Sequence, residues 1–387
     1  MNVIGLMSGT SADGVDAALV EWPDTGQPRP FVLLAFHHAP FPPDLQERIH
    51  RLAAGELAAS DTLAELVTLD VILGERFAEA ALAVAQKAQL PLEEVRAIAS
   101  HGQTVAHHPE CGGSLQIGDP SRIAERTGIT TVADFRARDL AAGGEGAPLT
   151  PFFHWVAFTS ETENRLILNL GGIANVTWLP AAAAAGDVIA FDVGPANALL
   201  DGVICTLTQG RERMDRAGQR ARRGQVDAKL LEALLDDDYL RRRPPKSTGR
   251  ERYGSAEARA LVKSWNQAGR NPDDLLATLV VFGAEAVGRA CDDFLLGRVE
   301  VARLLLGGGG ADNPAYLSAL AAVFPGAAID SFDYHGVPAR AAEAVAFALL
   351  GRNALLGLPN HLPCCTGAAR SAVLGEVVPG RDGFPRL

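Results

Sequence analysis

Residue types able to do chemistry gather in a few short segments of this chain. The first is Gly5-Leu6-Met7-Ser8-Gly9-Thr10-Ser11-Ala12-Asp13-Gly14-Val15-Asp16. Glycines let backbone N–H groups come close to an anion, and hydroxyls add donors. Asp13 and Asp16 could orient waters on a magnesium ion, which prefers carboxylate, phosphate and water oxygens. The same residue types also make plain hairpin turns, so this segment alone does not decide the matter. Two more glycine turns strengthen it. One is Leu168-Asn169-Leu170-Gly171-Gly172-Ile173-Ala174-Asn175, and the other is Leu306-Gly307-Gly308-Gly309-Gly310-Ala311-Asp312-Asn313. Four successive glycines carry a large entropic cost, which close approach of the backbone to a ligand would explain.

In Phe191-Asp192-Val193-Gly194-Pro195-Ala196-Asn197, a carboxylate ends an apolar run. Asp192 could act as a general base. An N-capping role is the alternative, and Asn197 could fill that too. Ser100-His101-Gly102-Gln103-Thr104, with His107, His108 and Cys111 beyond, fits no common zinc spacing. Polar substrate contacts from His101 and Gln103 fit better. In Asp134-Phe135-Arg136-Ala137-Arg138-Asp139, Arg136 could fork onto a carboxylate or phosphate, or the segment could be an exposed charged loop. The arginine-rich stretches 211–223 and 241–252 have acidic neighbours and no aromatic interleaving, so they read as solvated helical surface. No P-loop, no dinucleotide fingerprint, no nucleophile elbow and no H-E-x-x-H is present.

Local patterning says which elements carry these segments. Strands are expected at 2–7, 14–22, 31–39, 95–99 and 129–135, and helices after Pro42-Pro43, over about 60–89 and over 120–127. The second half repeats this order. Strands are expected at 165–170, 173–179, about 187–193, 301–306 and 327–330. Helices are expected at 197–208, 226–240, 255–267, 272–296, 313–323 and 338–351. Ala181 to Ala185 reads as a loop. Each half reads β-β-β-α-β-α-β, the second with an all-helical insertion. An α/β chain of two lobes follows, each a mixed five-stranded sheet with flanking helices, the ligand expected in the cleft between them. The expected division is 1–140, completed by C-terminal residues, and 141–387, with the helical insertion at about 197–296.

Composition sets the outer bounds. Among 387 residues, 35 Lys and Arg face 46 Asp and Glu, a formal net charge of −11. That balance argues against a general nucleic-acid binder. An apolar share of 48% and a charged share of 21% are those of an ordinary globular chain. No run of residues is long and apolar enough to suggest a membrane span. Met1-Asn2-Val3-Ile4-Gly5 has no charged n-region, so no signal peptide is expected. Five cysteines without a C-x-x-C point to a reducing cytoplasm.

Together the motifs resemble the anhydro-N-acetylmuramic acid kinase family, within the superfamily of sugar kinases, actin and heat-shock ATPases. The resemblance spans nearly the whole chain. It rests on GLMSGTSADGVD (5–16), SHGQT (100–104), DFR-x-x-D-x-AAGG-x-GAPL (134–149), LNLGGIAN (168–175), FDVGPAN (191–197), PPKSTGRE (244–251), the glycine run (307–310) and LPCCTGA (362–368). It implies ribonuclease H-like lobes and use of ATP and magnesium. The implied reaction is hydrolysis of the sugar's 1,6-anhydro bond with phosphorylation of the freed 6-oxygen, in peptidoglycan recycling. Asp192 matches the family's catalytic Asp. Gly9, Thr10, Ser11, Ala12, Asp13, Gly14, Val15 and Asp16 would cradle the phosphates, with Asp13 and Asp16 toward the magnesium through water. Gly171, Gly172 and Asn175 would meet the phosphates too, and Gly307, Gly308, Gly309 and Gly310 the adenosine. His101, Gln103, Arg136, Asp139 and Glu343 are the implied sugar contacts, with Arg136 toward the lactyl carboxylate. The resemblance leans to a homodimer and implies no nucleic-acid or membrane partner. Three positions depart from the family pattern: Val193 stands where Thr is usual, Asp312 where His is usual, and Arg252-Tyr253-Gly254 follows STGRE. Two other readings stay open, namely another small-molecule kinase of the superfamily and an ATP-driven binding protein.

Overall fold

The computed structural model describes the chain apart from Asp24, Pro245, Ser247, residues 297–299 and residues 385–387. In chain order come β1 (Asn2–Ser8), β2 (Gly14–Glu21), β3 (Val32–Pro40), α1 (Pro43–Ala53), α2 (Ala59–Ala88), β4 (Val95–His108), β5 (Gly113–Ile117), α3 (Pro120–Thr127), β6 (Thr131–Ala133), α4 (Phe135–Ala141) and α5 (Thr150–Phe158). Then follow β7 (Arg165–Leu170), β8 (Ile173–Leu179), β9 (Ile189–Pro195), α6 (Asn197–Leu207), α7 (Ala228–Leu235), α8 (Asp238–Arg241), α9 (Arg250–Tyr253), α10 (Ser255–Gln267), α11 (Pro272–Ala290), β10 (Arg303–Gly307), α12 (Pro314–Val323) and β11 (Ala328–Ser331). The chain closes with α13 (Ala342–Leu355), α14 (Pro363–Thr366) and β12 (Glu376–Val378). Among the described residues, no helix is long and apolar enough to cross a membrane.

Two compact units result: residues 1–157 with 336–387, and residues 158–335. The expected boundary at 140/141 therefore moves, and the chain beyond 335 belongs with the first unit. The reason lies in packing. Alternate residues of β1 face opposite sides of the sheet. Ile4 and Leu6, with Ile98 of β4, form one core with Leu69, Leu73, Phe77 and Val84 of α2. On the other side α13 packs against β1, β2 and β4. The approach is close enough that a Cβ on Gly5 would lie 1.8 Å from the Ala344 carbonyl, and one on Gly351 would lie 2.4 Å from Ala99 Cβ. Only glycine fits at such points.

The first sheet runs β12-β6-β4-β1-β2-β3, with β5 paired to β4. Strands β6-β4-β1-β2-β3 match the expected lobe, and β5 and β12 widen the sheet to seven. β4 runs to His108 where a strand was expected only to 99. Its extension needs backbone partners, and β5 supplies them as an antiparallel hairpin. The second sheet runs β11-β10-β7-β8-β9. Here β7, β8 and β9 are antiparallel, and β10 lies parallel to β7 and β11. Leu166, Leu168 and Leu170 of β7 pack with Leu275, Leu279 and Phe282 of α11. The helix expected over 226–240 breaks in two because Asp237 caps α8, accepting from the Tyr239 N–H.

Candidate active site

In the first unit, the turn between β1 and β2 is tightly braced. Ala12, at φ 46°, donates its N–H to the Gly9 carbonyl at 3.0 Å. Ser11 Oγ donates to Asp13 Oδ1 at 2.7 Å. From α1, Gln46 Nε2 donates to the Ser11 carbonyl at 2.9 Å, and His50 Nε2 lies 3.0 Å from the same oxygen. Thr10 and Asp13 are exposed, and Gly9, Ser11 and Asp16 are half-buried. Ala12, Gly14 and Val15 are buried, so the Ala12 and Val15 side chains pack within the turn.

Strand pairing sets Gln103 beside Ser8. Gln103 is 1% exposed. Its Oε1 accepts from Ser8 Oγ at 2.7 Å, and its Nε2 donates to the Gly9 carbonyl at 3.2 Å. Both ends of the amide are engaged, so Gln103 holds the turn in place. His101 is buried, and its Nδ1 lies 2.9 Å from the Gly102 carbonyl, so the proton sits on that nitrogen. Nε2 is then an acceptor, and Arg136 Nη2 meets it at 2.8 Å. Burial and the charge of Arg136 push His101 down to about 3, which keeps the ring neutral as this arrangement requires.

Arg136 belongs to α4, which opens with Asp134 at φ 51°. Its Nη1 donates to the Gly146 carbonyl at 2.7 Å, while its Nε is buried without a partner among the described residues. Close packing lowers the guanidinium to about 10. Asp139, three residues on, is fully buried. It accepts from the Gly146 N–H and from Thr366 Oγ1, each at 2.7 Å. His361 Nδ1 stands 2.7 Å from Asp139 Oδ1, and His361 Nε2 accepts from the Ala372 N–H at 2.9 Å, which places the proton on Nδ1. Burial works against the Asp139 anion, but the His361, Thr366 and Gly146 hydrogen bonds outweigh it and hold the carboxyl below the usual range. Arg136 and Asp139 thus grip Gly146 from its two sides. Neither His361 nor Thr366 stood out as a site residue in the sequence, though Thr366 lies inside LPCCTGA.

Acidic groups collect beside the turn. Asp16 Oδ1 lies 2.8 Å from His38 Nδ1. Burial raises the Asp16 carboxyl against the lowering pull of His38, and Asp13 adds to the rise. Glu343, near the start of α13, is exposed as a residue, although protein crowds around its carboxyl. That crowding and the charge of Asp16 raise its carboxyl, while Arg136 pulls it down.

In the second unit, strand register does the gathering. Gly307 aligns with Asn169, Asn169 with Asn175, and Asn175 with Asp192, one row across β10, β7, β8 and β9. Asn197 Nδ2 donates to the Leu170 and Gly171 carbonyls at 2.8 and 2.9 Å, tying the Gly171-Gly172 turn to the start of α6. The glycine run is largely an internal requirement. A Cβ on Gly307 would meet the Phe332 ring at 2.7 Å, one on Gly308 would meet Asn169 Oδ1 at 2.4 Å, and one on Gly310 would meet Leu170 Cβ at 2.8 Å. Only Gly309 has open space. At the other three, packing within the unit already requires glycine.

Asp192 is half-buried within β9, between the buried Phe191 and Val193. Its N–H donates to the Lys246 carbonyl at 3.2 Å, and its carbonyl accepts from Tyr239 Oη at 2.9 Å. Its Oδ2 accepts from the Thr248 N–H at 3.1 Å. Tyr239 was not singled out in the sequence, and Lys246 and Thr248 only as part of PPKSTGRE. Pro245 and Ser247 of that motif lie outside the described residues.

A family model described as anhydro-N-acetylmuramic acid kinase matches residues 1–380. The anhydro-N-acetylmuramic acid kinase of Caldanaerobacter subterraneus subsp. tengcongensis is 39% identical over 383 residues, 97% of this chain and 96% of the relative. That of Xanthomonas campestris pv. campestris strain 8004 is 44% identical over 378 residues, 97% of each chain. Among solved structures, a ROK hexokinase from Thermus thermophilus matches with a TM-score of 0.35 and 17% identity, over 89% of this chain and 98% of that one.

Proposed function

The chain belongs to the anhydro-N-acetylmuramic acid kinase family, and we propose on that footing that it converts 1,6-anhydro-N-acetylmuramic acid, ATP and water to N-acetylmuramic acid 6-phosphate and ADP, with Asp192 as general base. The role in cell-wall recycling follows from the substrate. Asp192 takes a proton from the water that attacks the anomeric carbon. The C1–O6 bond breaks as the new C1–O bond forms, and O6 accepts the γ-phosphoryl group. The Thr248 N–H on Oδ2 fixes the orientation of the carboxylate that acts as base. The rest of the work is placement and charge stabilisation.

The first unit's turn offers phosphate donors at Gly9, Thr10 and Ser11. Gly171, Gly172 and Asn175 are further phosphate donors, and Gly309 has room for the adenosine side. Arg136, with its unpartnered Nε, takes the lactyl carboxylate. His101 orients Arg136, and Glu343 lies within its field. Gln103 and Asp139 act by holding the turn and the Gly146 loop. The described residues hold no cluster of three metal-ligating side chains. Asp13 and Asp16, whose charges repel each other, fit magnesium, an ion that keeps several waters and takes substrate phosphates. Bound there through water, magnesium would neutralise phosphate charge. A reaction that uses ATP fits the cytoplasm, as do five cysteines without a C-x-x-C.

The observation that supports this reading is the row that sets Gly307, Asn169 and Asn175 level with Asp192. An ADP-release assay with ATP, magnesium and the anhydro sugar tests it, with N-acetylmuramic acid and N-acetylglucosamine as controls. Turnover with the anhydro sugar alone, and oxygen from labelled water on the anomeric carbon, is expected. Turnover with an ordinary sugar would move the chain to another branch of the superfamily. Asp192→Asn should keep ATP binding and lose on the order of 10²–10⁴-fold in turnover. Near-normal turnover in that variant would remove Asp192 from the base role.

A further inference from the structure

Lys246 is an unusual residue to find 5% exposed. A buried ammonium is costly unless its charge and donors are met. Here Nζ donates to the Tyr239 and Leu240 carbonyls at 3.2 and 3.1 Å. It also stands over three aromatic rings, 4.8 Å from the centroid of Tyr239, 4.9 Å from Phe294 and 5.6 Å from Phe191. The consequence lies in the main chain that Lys246 anchors. Its own carbonyl accepts the Asp192 N–H, and two residues on the Thr248 N–H reaches the Asp192 carboxylate. Tyr239, whose carbonyl holds the ammonium, gives its hydroxyl to the Asp192 carbonyl. Two segments outside the sheet therefore hold the N–H, the carbonyl and the carboxylate of Asp192, and the ammonium ties those segments together.

We propose that Lys246 is a positioning residue for Asp192, acting through the Thr248 N–H and the Tyr239 hydroxyl. The inference rests on the reading of Asp192 as base. A methionine would keep the stem and lose the donors, whereas arginine would keep charge and donors.

The test compares the full-length wild type with Lys246→Met and Lys246→Arg by kcat, both KM values, melting temperature and the acid limb of the kcat–pH profile. In Lys246→Met, kcat should fall about 10- to 100-fold, the scale of a misplaced catalytic group. Both KM values should stay within about threefold, as expected when only a transition-state interaction is lost. The acid limb should move up by roughly one pH unit, because the carboxylate loses both a well-placed donor and a nearby positive charge. Lys246→Arg should recover part of kcat and return the limb toward wild type. An unchanged kcat and limb in Lys246→Met would overturn the proposal. So would a fall in kcat with the limb unmoved and no recovery by arginine, since that is plain structural damage. If Lys246→Met does not fold, Tyr239→Phe decides. It removes only the hydroxyl and should lower kcat about two- to fivefold at constant KM, and no change would overturn the proposal. Asp192→Asn separates the two readings. An active Asp192→Asn sinks the base assignment itself, whereas an inactive one beside a normal Lys246→Met sinks only the role of Lys246.

Discussion

At the scale of single residues, the glycine run shows how one sequence feature can have several causes. Gly308 takes φ 78° and, like Gly307 and Gly310, has no room for a Cβ, while Gly309 does. Gly308→Ala and Gly310→Ala should each cost about 1–3 kcal/mol, the usual range for overpacking. Gly309→Ala should leave stability within about 0.5 kcal/mol, as a surface change does. Denaturant unfolding of the three variants checks this, and a Gly309→Ala as damaging as the others would refute it. If Gly309 faces adenosine, that variant should instead raise the KM for ATP. The same distinction applies to Gln103 and Asp139. Their residue types suggested ligand contacts, but their hydrogen bonds are all internal, and each works by fixing a backbone group that stands nearer the surface.

At the scale of elements, the contact of β1 with α13 joins stability to the site. Gly5 touches the Ala344 carbonyl, and Glu343 is the preceding residue on the same helix. A methyl group on Gly5 must push α13 away. Gly5→Ala should therefore cost at least about 1–3 kcal/mol and displace Glu343, raising the KM for the sugar more than that for ATP. Gly351→Ala, two turns along the same helix and against Ala99, should lower the melting temperature with less effect on KM. Equal KM changes in the two variants would show that Glu343 does not face the sugar.

At the scale of the whole molecule, acid stability follows from buried groups. Burial pushes His101 and His154, both in the first unit, down to about 3 from 6.5. Between those values the unfolded chain binds protons that the folded one does not, so stability rises with pH across the window and falls as pH drops below about 6.5. Glu163, in the second unit, is held at about 2 by hydrogen bonds from Arg303 and Arg165. Its contribution is present above the ordinary value of 4.5 and is lost as pH falls toward 2. It is partly exposed, so that contribution is small. Melting temperature should fall from pH 7 to pH 4, and less steeply in His154→Phe, whose ring has no nitrogen to protonate. Parallel slopes would show that His154 does not drive the loss.

Runs of near neighbours carried much of this protein before any packing was known. β7 and β8 occupy the expected 165–170 and 173–179, and α10 the expected 255–267, because periodicity within one element needs no distant partner. The contiguous motifs that carry the family resemblance were equally legible, including Asp192 and the first glycine turn. Packing between distant segments decided the rest. Whether the chain beyond 335 joins the first unit depends on glycines at positions 5 and 351 letting α13 reach the sheet. Whether Asp139 meets a ligand depends on Thr366, 227 residues away. Whether the glycine run has an internal cause depends on Phe332 at Gly307, on Asn169 at Gly308 and on Leu170 at Gly310. Such contacts follow no sequence period, since they depend on which surfaces come together when the core closes.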